Sequence, residues 1–262
     1  MKVTANGIEI NYSLEGPEGA PVVTFSHSLA ADVSMWAPQA AALRDHYRVL
    51  RYDTRGHGGT DAPDDAYTFD QLADDVRELL RALNIERTHF VGLSMGGMIG
   101  QTLALRHPDV IDGLVLCDTS SAMPPDAPTM WGERIAAARE GGMAALADGT
   151  IERWFTPDFI ANHADVIAPV RAQILATPVG GFAGCGNAIM HLNLTDKLPG
   201  ITAPTLVMVG EEDSGTPVAV HEVIRDQIPG AKLVVLPSAM HLSNIEQAEK
   251  FNATLTEFLE GL

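Results

Sequence analysis

The chain has 262 residues, 46% of them apolar and 19% charged, so it can bury a large core and is too apolar to be disordered. Its 17 Lys and Arg face 34 Asp and Glu, a formal charge of −17 that would repel phosphate backbones and anionic lipid. Neither nucleic acid nor a membrane is therefore an expected partner. Met1 to Gly7 has no apolar run of the kind a secretory leader needs, and no stretch approaches the roughly 18 continuous apolar residues of a membrane span. Two cysteines, Cys117 and Cys185, are too few for a disulfide framework or a thiolate zinc site. A cytoplasmic protein is the expectation.

Short β-rich runs alternate with longer helical patterns, which predicts an α/β fold with a mostly parallel sheet flanked by helices. Ile8 to Leu14 alternates apolar and polar residues, as a half-buried edge strand does, and Gly16-Pro17-Glu18-Gly19 follows as a turn. Pro21 to Phe25 and Tyr47 to Tyr52 read as strands. Helical periodicity then runs over Phe69 to Leu83, with Leu72, Val76, Leu79, Leu80 and Leu83 on one stripe and Asp74, Asp75, Arg77 and Glu78 off it. Thr88 to Gly92 is a strand, Met98 to Arg106 a helix and Gly113 to Cys117 a strand. Most of these strands are continuous apolar runs, as expected where both faces of a sheet are covered.

The alternation stops after Asp118. From Thr119 to about Leu198 no strand pattern occurs; Met123-Pro124-Pro125-Asp126-Ala127-Pro128 opens the interval, and Gly132 to Arg139 and Met143 to Trp154 read as helical. Strands return at Thr205 to Val209 and Lys232 to Leu236, with helices at Val218 to Gln227 and Ala248 to Leu259. The economical organisation is a core domain of residues 1–118 and 199–262 with a helical cap, 119–198, over the carboxyl edge of the sheet, where open α/β sheets bind ligands.

Gly92-Leu93-Ser94-Met95-Gly96 is a G-x-S-x-G pattern between a strand and a helix. That context predicts a nucleophile elbow, with Ser94 on a strained turn and the flanking glycines admitting close backbone approach. A serine hydroxyl needs a base, and the base an orienting carboxylate. His241 follows the last strand in the loop Pro237-Ser238-Ala239-Met240-His241 and is the candidate base. His27 and His57 both precede Ser94, against the usual order of this motif class, and His107 beside Pro108 reads as a helix cap. Asp213, after the strand Thr205 to Val209, is the favoured acid; Glu211, Glu212 and Asp118 are its rivals. The amides of Met95 and of Leu29, in the loop Ser26-His27-Ser28-Leu29, are the candidate oxyanion donors.

These segments together resemble the α/β-hydrolase superfamily, and within it the 3-oxoadipate enol-lactonases. The resemblance is carried by Ser28-Leu29 with Ser34-Met35-Trp36-Ala37-Pro38-Gln39, by Leu50-Arg51-Tyr52-Asp53-Thr54-Arg55-Gly56-His57-Gly58, by Gly92 to Gly97, and by His241-Leu242-Ser243-Asn244-Ile245-Glu246. His27 and Ala30 stand where asparagine and glycine are usual in those lactonases. The resemblance implies a Ser94-Asp213-His241 triad acting through an acyl-enzyme on a carboxylic ester or lactone, without metal or organic cofactor. It also implies that the cap supplies Trp131 and Arg134 to a small-molecule substrate, a guanidinium suiting a free carboxylate and the indole a ring. An arylesterase or cofactor-free perhydrolase on the same triad, a slow-turnover ligand sensor and a C–C bond hydrolase remain alternatives at this stage.

Overall fold

A computed structural model describes residues 1–262. The chain begins with β1 (Lys2–Ala5), β2 (Ile8–Glu15) and β3 (Val22–Ser26), followed by α1 (Ala37–Leu43), β4 (Arg48–Tyr52) and α2 (Phe69–Ala82). β5 (Thr88–Leu93), α3 (Met95–Arg106) and β6 (Ile111–Cys117) come next. Five helices then run without a strand: α4 (Ala127–Gly141), α5 (Ala144–Trp154), α6 (Pro157–Asn162), α7 (Ala164–Ala176) and α8 (Val179–Met190). The chain returns to the sheet with β7 (Thr205–Gly210), α9 (Val218–Gln227) and β8 (Lys232–Leu236), and ends in α10 (Ser243–Glu246) and α11 (Ala248–Glu260).

All eight strands form one sheet in the order β1-β2-β4-β3-β5-β6-β7-β8. β1 pairs with β2, and β2 with β4, antiparallel; every later pairing is parallel. The predicted α/β architecture with a helical insertion is therefore what the chain adopts. The central strands read as apolar runs because both their faces are covered: Val23, Phe25, Phe90, Val91, Leu114, Val115, Leu116 and Val207 are fully buried.

Two expectations need correcting. The edge strand is β1 and not Ile8 to Leu14; β2 is its inner neighbour, and its alternation reflects one covered face rather than an edge position. Asp75, assigned to the polar side of α2, is buried and paired with Arg55 at 2.6 Å, while Asn6 Nδ2 donates to the same carboxylate at 2.7 Å. A helical wheel separates apolar from polar residues, but a charge with its own guanidinium can sit on the covered side.

The cap is joined to the core by backbone. A Cβ on Gly181 of α8 would lie 2.0 Å from the Gly56 carbonyl oxygen, so only two glycines permit this crossing. Gly56 lies in the loop after β4 with φ +84°. Both cysteines are buried and free. No single helix is long and apolar enough to cross a membrane.

Candidate active site

The parallel strands deliver their following loops to one edge of the sheet. Ser94 sits between β5 and α3 with φ 55° and ψ −116°, a strained geometry for a residue with a side chain. The crowding there explains the glycines: a Cβ on Gly92 would meet the Gly96 carbonyl oxygen at 2.1 Å, and one on Gly96 the Ser26 carbonyl oxygen at 2.1 Å. Ser94 is also held from behind, its N–H donating to Cys117 O (2.9 Å) and its C=O accepting from Thr119 Oγ1 (2.7 Å).

His241 Nδ1 lies 2.8 Å from Asp213 Oδ2, and both side chains are buried. Asp213 sits in a turn that saturates its carboxylate: Gly215 N and Thr216 N donate to Oδ1 at 2.8 and 3.0 Å, and Thr216 Oγ1 to Oδ2 at 2.6 Å. Burial alone would raise this carboxyl; the charge and hydrogen bond of His241 and the Thr216 donors overcome it and hold it at about 2. Burial likewise opposes the imidazolium, yet the Asp213 carboxylate moves His241 above its ordinary value. With Nδ1 committed to Asp213, the neutral ring keeps Nε2 free to accept a proton. Of the rival acids, Glu211 and Glu212 are exposed, and the buried Asp118 bonds to Gly210 and Ser243 instead of to His241.

Ser94, His241 and Leu29 line one cavity of about 340 Å3. Two histidines that sequence order set aside prove to hold the Leu29 loop. Thr54 N donates to His27 Nε2 (2.9 Å), which puts the ring proton on Nδ1 facing Ser28 O (2.7 Å). Ala30 N donates to His57 Nε2 (3.0 Å), and Ala30 has φ 62°. Burial lowers both imidazoles below the usual histidine range, His57 to about 3, where His27 adds to the effect. Each ring accepts a backbone N–H at Nε2, as only the neutral imidazole can. The Leu29 amide between them has no acceptor within the chain, and Met95 begins α3, whose N-terminal amides point toward Ser94.

The cap residues reach the same cavity. Trp131 and Arg134 on α4 line it, with the guanidinium stacked 4.3 Å from the indole centroid. Burial, then the nearby Arg153, lowers Arg134 to about 10. Arg153 on α5 lines the cavity as well and was missed: a single arginine on a helix carries no local signal, and only its place beside Trp154 hinted at the cap's inner wall. Ten of the chain's thirteen arginines pair with a carboxylate, whereas Arg48, Arg134 and Arg153 do not. Two of these three line this cavity, and no Asp or Glu lines it.

A family model described as alpha/beta hydrolase fold matches residues 21–248. The chain belongs to this family. Among curated relatives, this α/β-hydrolase is 35% identical to 3-oxoadipate enol-lactonase 2 of Acinetobacter baylyi over 250 residues, covering 95% of this chain and 92% of the relative. Among solved structures it resembles the enol-lactonase from Burkholderia xenovorans LB400, with 42% identity, a TM-score of 0.96 and coverage of 99% and 100% of the two chains. A malate-bound thermophilic esterase from Thermogutta terrifontis superposes with a TM-score of 0.93 at 31% identity, covering 100% of this chain and 98% of that one. The α/β-hydrolase described above is thus a relative of both enol-lactonases and esterases.

Proposed function

We propose that this protein is a serine hydrolase that opens a small lactone, or cleaves a small ester, bearing a free carboxylate. The observation that carries the reading is one cavity in which Ser94 and the Asp213-paired His241 face two arginines and no acid. His241 takes the Ser94 proton as Oγ attacks the acyl carbon, and Asp213 keeps the ring in the accepting tautomer and stabilises the imidazolium. The Leu29 and Met95 amides receive the oxyanion. In a lactone the leaving oxygen stays tethered in the acyl-enzyme; His241 returns its proton there and then activates the water that releases the open acid. Arg134 holds the substrate carboxylate and Trp131 its ring. The similarity to enol-lactonases supports this choice of acyl compound, and none of these steps calls for a metal or an organic cofactor.

The test is turnover of carboxylate-bearing lactones and neutral aryl esters by the wild type, Ser94→Ala and Arg134→Ala. Ser94→Ala is expected to lose at least about 10^4-fold in kcat on every substrate. Arg134→Ala should raise KM about 10- to 100-fold for the anionic lactones, the loss expected for a charged hydrogen bond, and leave neutral esters unchanged. Equal turnover by Ser94→Ala would eliminate the serine mechanism, and an unchanged anionic-to-neutral ratio would remove Arg134 from recognition.

A further inference from the structure

The end of β6 touches the carriers of all three proposed triad residues. Cys117 O and Thr119 Oγ1 hold the backbone of Ser94, as described above. Between them Asp118 has φ 44° and a fully buried side chain. Its Oδ1 accepts from Gly210 N at 2.8 Å, and its Oδ2 from Ser243 Oγ at 2.5 Å. Gly210 ends β7 and opens the turn that carries Asp213, whose N–H returns to Gly210 O at 3.1 Å. Ser243 begins α10, two residues after His241. One carboxyl group thus joins the root of the acid turn to the root of the base loop, and it is anchored on the strand that holds the nucleophile.

We infer that Asp118 is a positioning residue that keeps the Asp213 and His241 loops in register with Ser94. This rests on the serine mechanism proposed above, in which Asp213 and His241 sit on separate loops and must converge on a third. A misplacement of about 1 Å in such a constellation costs on the order of 100-fold in rate. Asp118 works through its two hydrogen bonds and not as a second acid, since it makes none to His241. Burial and the neighbouring Asp213 charge push its carboxyl well up, and the donors Ser243 and Gly210 act against them. An asparagine would preserve the bridge, its amide oxygen accepting from Gly210 and its amide nitrogen donating to Ser243. An alanine would abolish the bridge and strand both partners.

The experiment measures kcat, KM and the rate of phosphonylation by a fluorophosphonate, all per titrated active site, for Asp118→Ala, Asp118→Asn, Ser243→Ala and Asp213→Asn. Asp118→Ala and Ser243→Ala are expected to lower kcat and phosphonylation in parallel by about 10- to 100-fold with KM little changed. Asp118→Asn should recover to within about threefold of wild type, since it restores both hydrogen bonds. Asp213→Asn should not recover. The inference is overturned if Asp118→Ala lowers the melting temperature while kcat per titrated site stays at the wild-type value, the mark of a merely structural role. It is overturned equally if Asp118→Asn is as damaged as Asp213→Asn, which would make Asp118 an acid in its own right. Should Asp118→Ala fail to fold, Ser243→Ala decides: unchanged kcat there removes the bridge from catalysis. Wild-type turnover by Ser94→Ala would instead overturn the serine mechanism beneath it.

Discussion

At the scale of single residues, the proposed mechanism depends on one imidazole whose surroundings set its working range. His241 must be neutral to act as base, and Asp213 moves it above the ordinary histidine value near 6.5. The acid limb of kcat/KM should therefore have its midpoint above pH 6.5, with activity lost as pH falls through it. In Asp213→Asn the supporting charge is gone, so the limb should move to lower pH while kcat drops by about 10^4-fold, because the ring loses its orienting acceptor. A pH–rate profile of both proteins checks this, and a limb that stays in place would mean that another group titrates. Ser94, Asp213 and His241 were legible in the sequence because each follows a strand that announces itself as an apolar run. Asp118 also follows such a strand, and only hydrogen bonds separate the two carboxylates: the ring of His241 goes to Asp213. His27 and His57 were legible as histidines near turns, but their use as acceptors for Thr54 and Ala30 amides depends on contacts between distant segments.

The elements were readable to unequal degrees, and the reason is what each one buries. α2 shows an apolar stripe because one side packs against the core, whereas α8 is covered nearly all round and gives no periodicity. Its sequence, Val179-Gly180-Gly181-Phe182-Ala183-Gly184-Cys185-Gly186, looks more like a loop than a helix, since four glycines weaken helix propensity. Those glycines are there for contact, since Gly181 meets Gly56 and a Cβ on Gly184 would meet the Asp65 carbonyl oxygen at 2.6 Å. Gly181→Ala should therefore destabilise the protein by about 1–3 kcal/mol, as overpacking does, although alanine is the better helix former. Chemical denaturation measures the change, and a stabilised variant would mean that α8 can shift off the loop without loss.

For the whole molecule, the charge of −17 and the acid-free cavity act at different ranges. The overall field repels an approaching anion; Arg134 and Arg153 attract it only once it is close. Salt shortens the Debye length from about 30 Å at 0.01 M to about 8 Å at 0.15 M, which screens the distant surface charges more than a half-buried guanidinium. For a carboxylate-bearing substrate kcat/KM should rise severalfold over that range while a neutral ester shows no trend. A fall with salt would mean that the two arginines already steer the anion from a distance.

The cap is fastened at two places. α8 crosses the β4 loop at Gly56, and at the α5–α6 junction Thr156 N and Oγ1 donate to Glu246 Oε1 at 2.7 and 2.8 Å, while Met240 N donates to the other oxygen of the same carboxylate. The loop of His241 is thus tied to the roof above it. A variant built for another substrate could not readily re-hang that roof, because the backbone crossing would clash and the His241 loop would be dragged along. The route left open is to change its lining, at positions such as Met123, Met130 and Ile189, which border the cavity and take no part in either fastening. Altered specificity is then a matter of wallpaper rather than of carpentry, and a library confined to those three positions is where it should be sought.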